Sequence, residues 1–284
     1  MGSRALVLGG GGVTGIAWEL GVLFGLREAG VDLTEADLVV GTSAGSAVGA
    51  QITSGADLDG LYAREVNSGR RTSTSTEKQV ELNVDGLMAA FSGAAAGVRS
   101  ATELRARIGR LALDADTVAE EERIEIIGSR LPSRDWPDRP LLVTCVDTET
   151  GEFVTWDRDS GVPLVSAVAA SCAVPVVWPP VTIDGRRYMD GGVRSGTSAD
   201  LAAGSEVVVV LAPMGDAPTF PGTGLAAELE SLGEGVRTAV VHPDEAAVSA
   251  IGPNVLDPSR RAAAAEAGRA QGQVLAEVLR DVWT

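Results

Sequence analysis

A serine flanked by glycines is the strongest candidate in this chain for covalent chemistry. It lies in Gly41-Thr42-Ser43-Ala44-Gly45, a G-x-S-x-G sequence between an apolar run at 38–40 and an apolar segment of helical character. In that context the glycines allow a sharp strand-to-helix turn that strains the serine and projects its hydroxyl group. Ser43 is therefore a candidate nucleophile for acyl transfer, and the alternative is a purely structural N-cap of the next helix.

A nucleophilic serine needs a base, and the chain offers two candidates. His242 is the only histidine, and the order Ser43, Asp190, His242 matches the order of an α/β-hydrolase triad. A Pro-Asp pair follows His242 and is typical of a helix entry, which favours a structural role for this histidine. Asp190 follows a predicted strand and precedes two glycines, so it is either a turn residue or a general base that contacts the serine directly.

A third glycine turn opens the chain. Gly10, Gly12 and Gly15 have the G-x-G-x-x-G spacing of a dinucleotide site, between a predicted strand and a predicted helix. Such a site also needs a carboxylate at the end of the second strand, about 20 positions further on. The second predicted strand instead ends in the serine motif, and the acidic residues of this interval precede it. These residues are Asp32, Glu35 and Asp37.

The three turns together resemble those of the bacterial patatin-like phospholipases, which are serine acyl hydrolases with a Ser-Asp dyad. The resemblance extends over residues 4–215. Its motifs are the loop Gly10-Gly11-Gly12-Val13-Thr14-Gly15, the elbow Gly41-Thr42-Ser43-Ala44-Gly45, the base motif Asp190-Gly191-Gly192 and an apolar segment at 170–180. Thr14 departs from the family pattern, in which many members have Arg or Lys at this position.

The resemblance implies a lipid acyl hydrolase of three-layer α/β/α fold that works without a cofactor or metal. Ser43 would be the nucleophile and Asp190 the base. Backbone N–H groups of Gly10, Gly11, Gly12 and Val13, above all those of Gly11 and Gly12, would form the oxyanion hole. The remaining motif glycines are Gly15, Gly41, Gly45, Gly191 and Gly192.

The elements that must position these turns follow from hydrophobic patterning. A strand, a glycine turn and a helix occur twice in succession, which indicates an α/β domain with a mostly parallel sheet. Residues 1–284 are expected to form one domain, with a helical insertion or lid at about 67–137. We predict strands at 5–8, 38–40, 141–146, 153–156, 181–183, 187–189, 207–211 (central) and 239–241, and helices at 15–29, 84–98, 101–113, 116–130 and 258–282.

Composition restricts the partners. The chain has 23 basic and 39 acidic residues and a formal charge of −16, which repels nucleic acid. Cys145 and Cys172 lie in apolar stretches typical of buried free thiols, and two cysteines with one histidine do not suffice for a zinc site. We expect a cytoplasmic protein with an acyl-lipid substrate and transient contact with neutral or zwitterionic membrane surfaces. The sequence leaves the oligomeric state open.

Overall fold

A mixed β-sheet runs through the middle of the protein. The structure is a computed structural model that describes residues 2–68, 84–215 and 224–284. The strands of the described residues are β1 (Arg4–Leu8), β2 (Leu38–Gly41), β3 (Leu141–Asp147), β4 (Phe153–Trp156), β5 (Val181–Ile183), β6 (Arg186–Asp190), β7 (Val207–Leu211) and β8 (Arg237–Val241).

The sheet combines a parallel part with an antiparallel edge. Its order is β5-β6-β3-β2-β1-β7-β8, and β4 also pairs with β3. Neighbouring strands from β3 through β2, β1 and β7 to β8 are parallel. The strands β4 and β6 run antiparallel to β3, and β4 follows β3 directly in the chain to form a hairpin with it. All residues of β7 are buried, as predicted for a central strand, although only β8 separates β7 from the sheet edge.

Helices cover both faces of this sheet. They are α1 (Gly12–Glu28), α2 (Ala44–Thr53), α3 (Leu58–Val66), α4 (Val84–Ala95), α5 (Ala101–Asp114), α6 (Glu120–Arg130), α7 (Leu164–Ser171), α8 (Leu225–Ser231), α9 (Glu245–Ile251) and α10 (Arg261–Trp283). In β1, Leu6 and Leu8 belong to one apolar cluster, and Ala5 and Val7 to another. Because alternate residues of a strand point to opposite faces, the sheet has a core on each side, and the predicted α/β/α arrangement is confirmed.

The helices of the predicted insertion pack onto the antiparallel edge. The predicted helices at 84–98, 101–113 and 116–130 are present as α4, α5 and α6, whereas residues 69–83 of the insertion lie outside the described residues. Phe91 of α4 and Ile108 of α5 share an apolar cluster with Val146, Met189 and Val193. Leu87 and Phe91 of α4 therefore pack against the strand that carries Asp190. Within the described ranges, no helix combines the length and the apolarity needed to cross a bilayer.

Helices α1 and α10 approach each other through glycines. A Cβ on Gly21 would overlap the Ala265 carbonyl oxygen, and a Cβ on Gly272 would overlap that of Val22. Gly25 and Gly268 meet the opposite helix backbone in the same way. Each helix therefore presents two glycines four residues apart, which lie on one face at helical spacing and permit this close contact. The helix that presents the first glycine loop is thus held by the last helix of the chain.

Candidate active site

Ser43 lies in a strained turn between β2 and α2. Its φ of 53° and ψ of −118° are rarely adopted by a residue with a side chain. The flanking glycines are required by space, because a Cβ on Gly41 would come within 2.5 Å of the Ser46 Cα and a Cβ on Gly45 would overlap the Leu8 carbonyl. The sharp turn predicted from the G-x-S-x-G spacing is present, and its serine is 9% exposed.

Asp190 ends β6 and faces the serine directly. The Ser43 hydroxyl donates a hydrogen bond of 2.7 Å to Oδ2 of Asp190, across 147 positions of the chain. The Gly192 N–H donates to Oδ1, also at 2.7 Å. The adjacent Gly191 has no room for a side chain, since a Cβ there would overlap the Thr144 hydroxyl. The structure therefore brings together the serine and the aspartate that the sequence singles out.

Burial makes the Asp190 carboxyl a weaker acid than an ordinary aspartate. The side chain is 4% exposed, and loss of water raises its pKa from 3.8 to about 7. The hydrogen bonds from Ser43 and from the Gly192 N–H favour the charged form and oppose that rise. A carboxylate with a pKa near neutrality can accept a proton at pH 7 far better than an ordinary aspartate, so Asp190 is suited to act as a general base.

The first glycine loop lies against the serine. A Cβ on Gly10 would be 3.4 Å from the Ser43 Cβ, and the Gly45 N–H donates to the Gly9 carbonyl at 2.9 Å. The Gly10 N–H itself donates to the Gly196 carbonyl at 2.8 Å. Helix α1 begins at Gly12, earlier than the predicted residue 15, because the glycine loop leads directly into its first turn.

The N–H groups at the start of α1 lie beside the serine turn. The first N–H groups of a helix have no partner within the helix. Those of Gly11, Gly12 and Val13 therefore remain as candidate donors to a ligand, and Gly15 lies one turn further along. The positive end of the helix dipole also favours negative charge at this place.

A short segment at the end of α7 contacts both Ser43 and Asp190. The hydroxyl oxygen of Ser171 accepts the Ser43 N–H at 2.9 Å, and the thiol of Cys172 donates to the Ser43 carbonyl at 3.2 Å. The next carbonyl, that of Ala173, accepts the Asp190 N–H at 3.0 Å. These three residues thus fix the backbones of both candidate residues. Burial raises the pKa of Cys172 to about 11, so its thiol keeps its proton.

Replacement of Ser171 by alanine should therefore destabilise the elbow. The buried Ser43 N–H would lose its acceptor, and we expect the free energy of unfolding to fall by about 1–3 kcal/mol. Urea denaturation followed by circular dichroism measures this change. Ser129→Ala is a matched control, because the Ser129 hydroxyl makes only an exposed bond to a backbone carbonyl. Equal stability of the two variants would contradict the role given to Ser171.

His242 occupies a different part of the sheet. It follows β8, which β1 and β7 separate from β2, and its carbonyl accepts a hydrogen bond of 2.6 Å from Gln271. Asp244 caps α9 through the Ala247 N–H, which confirms the predicted helix entry. A triad places the imidazole between the serine and the carboxylate, whereas here these two groups bond directly.

Two of the acidic residues that precede β2 serve local structure. Asp32 caps a short helical turn through the Thr34 N–H, and Asp37 accepts the Arg4 N–H. β2 ends at Gly41 and leads into the serine turn rather than into a carboxylate. Both cysteines are free and buried, as predicted. Across the described ranges no three metal-ligating side chains cluster.

The fold and the site define a class of α/β protein with a serine on a strained turn, bonded to a buried aspartate. Within that class, a family model described as Patatin-like phospholipase matches residues 6–203. The chain belongs to the patatin-like phospholipase family.

Individual relatives match over shorter stretches. A stretch of 62 residues is 47% identical to part of lysophospholipase nte1 of Aspergillus oryzae (strain ATCC 42149 / RIB 40) and covers 22% of this chain. Lysophospholipase nte1 of Aspergillus niger (strain ATCC MYA-4892 / CBS 513.88 / FGSC A1513) matches with the same identity, length and coverage. In both cases the match spans only 4% of the relative.

Solved structures are similar at low identity. VipD from Legionella pneumophila is 14% identical with a TM-score of 0.43, over 98% of this chain and 67% of that one. The type III effector protein ExoU is also 14% identical, with a TM-score of 0.42, over 98% of this chain and 53% of that one.

Proposed function

We propose that this protein is a lipid acyl hydrolase that cleaves carboxylic esters of phospholipids or related acyl lipids. The family and the partial match to lysophospholipases support an acyl-lipid substrate. The observation that carries the mechanism is the 2.7 Å hydrogen bond from the strained Ser43 hydroxyl to Asp190. It supports a two-residue mechanism without histidine.

Acylation uses the Asp190 carboxylate as general base. Asp190 accepts the Ser43 proton while the serine oxygen attacks the ester carbonyl and forms a tetrahedral intermediate. When the intermediate collapses, the carbon–oxygen bond to the leaving group breaks, and Asp190 returns the proton to the departing alcohol. Water, deprotonated by the same carboxylate, then attacks the acyl-enzyme, and Ser43 recovers its proton as the fatty acid leaves.

The negative oxygen of the intermediate needs hydrogen-bond donors. We assign this role to the N–H groups of Gly11, Gly12 and Val13. Gly11 is the N-cap of α1, and Gly12 and Val13 are its first two residues. Gly10 is a weaker candidate than the sequence suggests, because its N–H already donates to the Gly196 carbonyl. The role of Gly10 is instead to let the loop backbone lie close to the Ser43 side chain.

Exposed apolar side chains near the site fit a lipid substrate. Pro213 lies against Gly11, and its neighbour Met214 is 43% exposed. Val176 follows the segment that binds Asp190 and is 39% exposed. Together with the formal charge of −16, these side chains favour neutral or zwitterionic lipids and brief contact with surfaces of that kind.

Labelling with a fluorophosphonate tests the nucleophile without knowledge of the natural substrate. We expect the native protein to form one phosphonyl adduct, located on Ser43 by mass spectrometry of its peptides, and Ser43→Ala to form none. Ser46→Ala is the neighbouring serine control and should still be labelled at Ser43. An unlabelled native protein, or a label on another residue, would exclude the proposed reaction.

A further inference from the structure

Thr14 makes a contact that its place in the glycine loop does not predict. The family pattern often has a cation here, but the Thr14 side chain is fully buried. Its N–H donates to the Val255 carbonyl at 3.1 Å, and its hydroxyl donates to the same oxygen at 3.2 Å. The contact joins positions 241 residues apart.

The same carbonyl lies directly on the start of α1. Gly12 has a φ of +61°, and a Cβ there would come within 2.5 Å of the Val255 oxygen and 3.0 Å of the Leu256 side chain. The backbone around Val255 therefore covers one side of Gly12. It contacts the loop at residues 12 and 14, on both sides of Val13.

The Val255 carbonyl is held firmly from its own side. The Leu256 N–H donates to the Asn254 side chain at 3.0 Å, which closes a tight turn. Arg260 donates to the carbonyls of Ser249 and Ala250 at the end of α9. The following helix α10 is fixed to α1 by the glycine contacts described above. The acceptor is therefore anchored independently of Thr14.

We propose that Thr14 and the Val255 carbonyl form a positioning contact that sets the oxyanion-binding N–H groups relative to Ser43. The carbonyl takes up the N–H of residue 14, which leaves those of Gly11, Gly12 and Val13 at the helix start for the substrate oxygen. This inference rests on the proposed acyl-hydrolase function. The family match ends at residue 203, so Val255 would support catalysis from outside the matched range. Thr14 is a positioning residue in this proposal and not a catalytic one.

The pair Thr14→Val and Thr14→Ser tests this contact. Valine keeps the shape of the side chain and loses the hydroxyl, whereas serine keeps the hydroxyl. With p-nitrophenyl butyrate we expect kcat of Thr14→Val to fall about 3- to 10-fold, the range that a neutral hydrogen bond supplies, with KM unchanged. The rate of fluorophosphonate labelling should fall by the same factor, and Thr14→Ser should recover most of both rates.

Three outcomes overturn the proposal: native kcat in Thr14→Val, equal rates in the valine and serine variants, or a rise in KM without a fall in kcat. Circular dichroism confirms that each variant is folded at the assay temperature. If Thr14→Val does not fold, Thr14→Ala is compared with Thr14→Ser in the same way. Failure of the proposed function is recognised separately, because Ser43→Ala would then retain the hydrolytic activity.

Discussion

Replacement of Asp190 by asparagine should lower kcat for an acyl ester by about 10²- to 10⁴-fold, the contribution of a positioned general base. Asparagine has nearly the same shape, and its Oδ1 can still accept the Gly192 N–H. Its NH2 group then takes the place of Oδ2, which accepts the Ser43 hydroxyl in the native protein, and this group cannot take the proton. We therefore expect an unchanged circular dichroism spectrum. Hydrolysis of p-nitrophenyl butyrate under saturating conditions measures the effect.

His242 provides the control for this experiment. It lies after β8 and does not contact the serine–aspartate pair in our mechanism, so His242→Ala should keep native kcat. If Asp190→Asn retained nearly full activity while His242→Ala lost it, a histidine-dependent triad would replace the dyad.

The same carboxyl predicts a pH dependence of activity. Only the ionised form of Asp190 is a base, and its pKa is raised to about 7. kcat/KM should therefore rise with pH through about 7 and level off above it. The ascending limb should be absent from the residual activity of Asp190→Asn. An activity that is flat between pH 5 and 9 would contradict the assignment.

Stability should depend on pH in the opposite direction. The folded pKa of about 7 lies above the ordinary value of 3.8, so the folded protein holds this proton more tightly than the unfolded chain. The contribution of Asp190 to stability is therefore fully present below pH 3.8 and is lost as the pH rises toward 7. In Asp190→Asn this loss of stability with rising pH should be absent. The native protein is thus less stable near neutral pH because it keeps a carboxylate that can act as a base.

Replacement of Gly45 by alanine should unfold the protein or lower its free energy of unfolding by about 3 kcal/mol or more, at the upper end of overpacking. The added methyl group would overlap the carbonyl group of Leu8, and the backbone of a central strand has little freedom to shift. Urea denaturation and thermal melting measure this loss.

Gly93 supplies the matched control for Gly45. It lies in α4, and a Cβ there meets no atom within 4 Å. Gly93→Ala should therefore be neutral or slightly stabilising, since alanine favours a helix over glycine by about 1 kcal/mol. Native stability of Gly45→Ala would show that the elbow has more room than its geometry indicates.

Local patterns predicted most of the framework. The alternation of apolar strand, glycine turn and helix indicates β1, α1, β2 and α2 correctly, because each signal lies within a few neighbouring residues. The pairing of Ser43 with Asp190 is not a local signal of this kind. Each residue alone fits an ordinary cap or turn, and only the joint resemblance of three motifs placed them together.

The supporting contacts could not be predicted in this way. Ser171 reaches Ser43 across 128 positions, and Thr14 reaches Val255 across 241. Such contacts depend on how the strands are ordered in the sheet, which composition and periodicity do not determine. The segment at 170–180 is apolar in sequence, but its polar Ser171 is the residue that contacts the elbow.

The glycine faces of α1 and α10 determine how far the chain can be shortened without loss of folding. A polypeptide stopped at the boundary of the family match, residue 203, would leave the main chain of α1 bare to water along the line where Ala265 and Gly272 now lie. We expect such a truncated product to aggregate or to be degraded. For the same reason, neither pair of glycines can be replaced by larger residues while the two helix backbones keep their present separation.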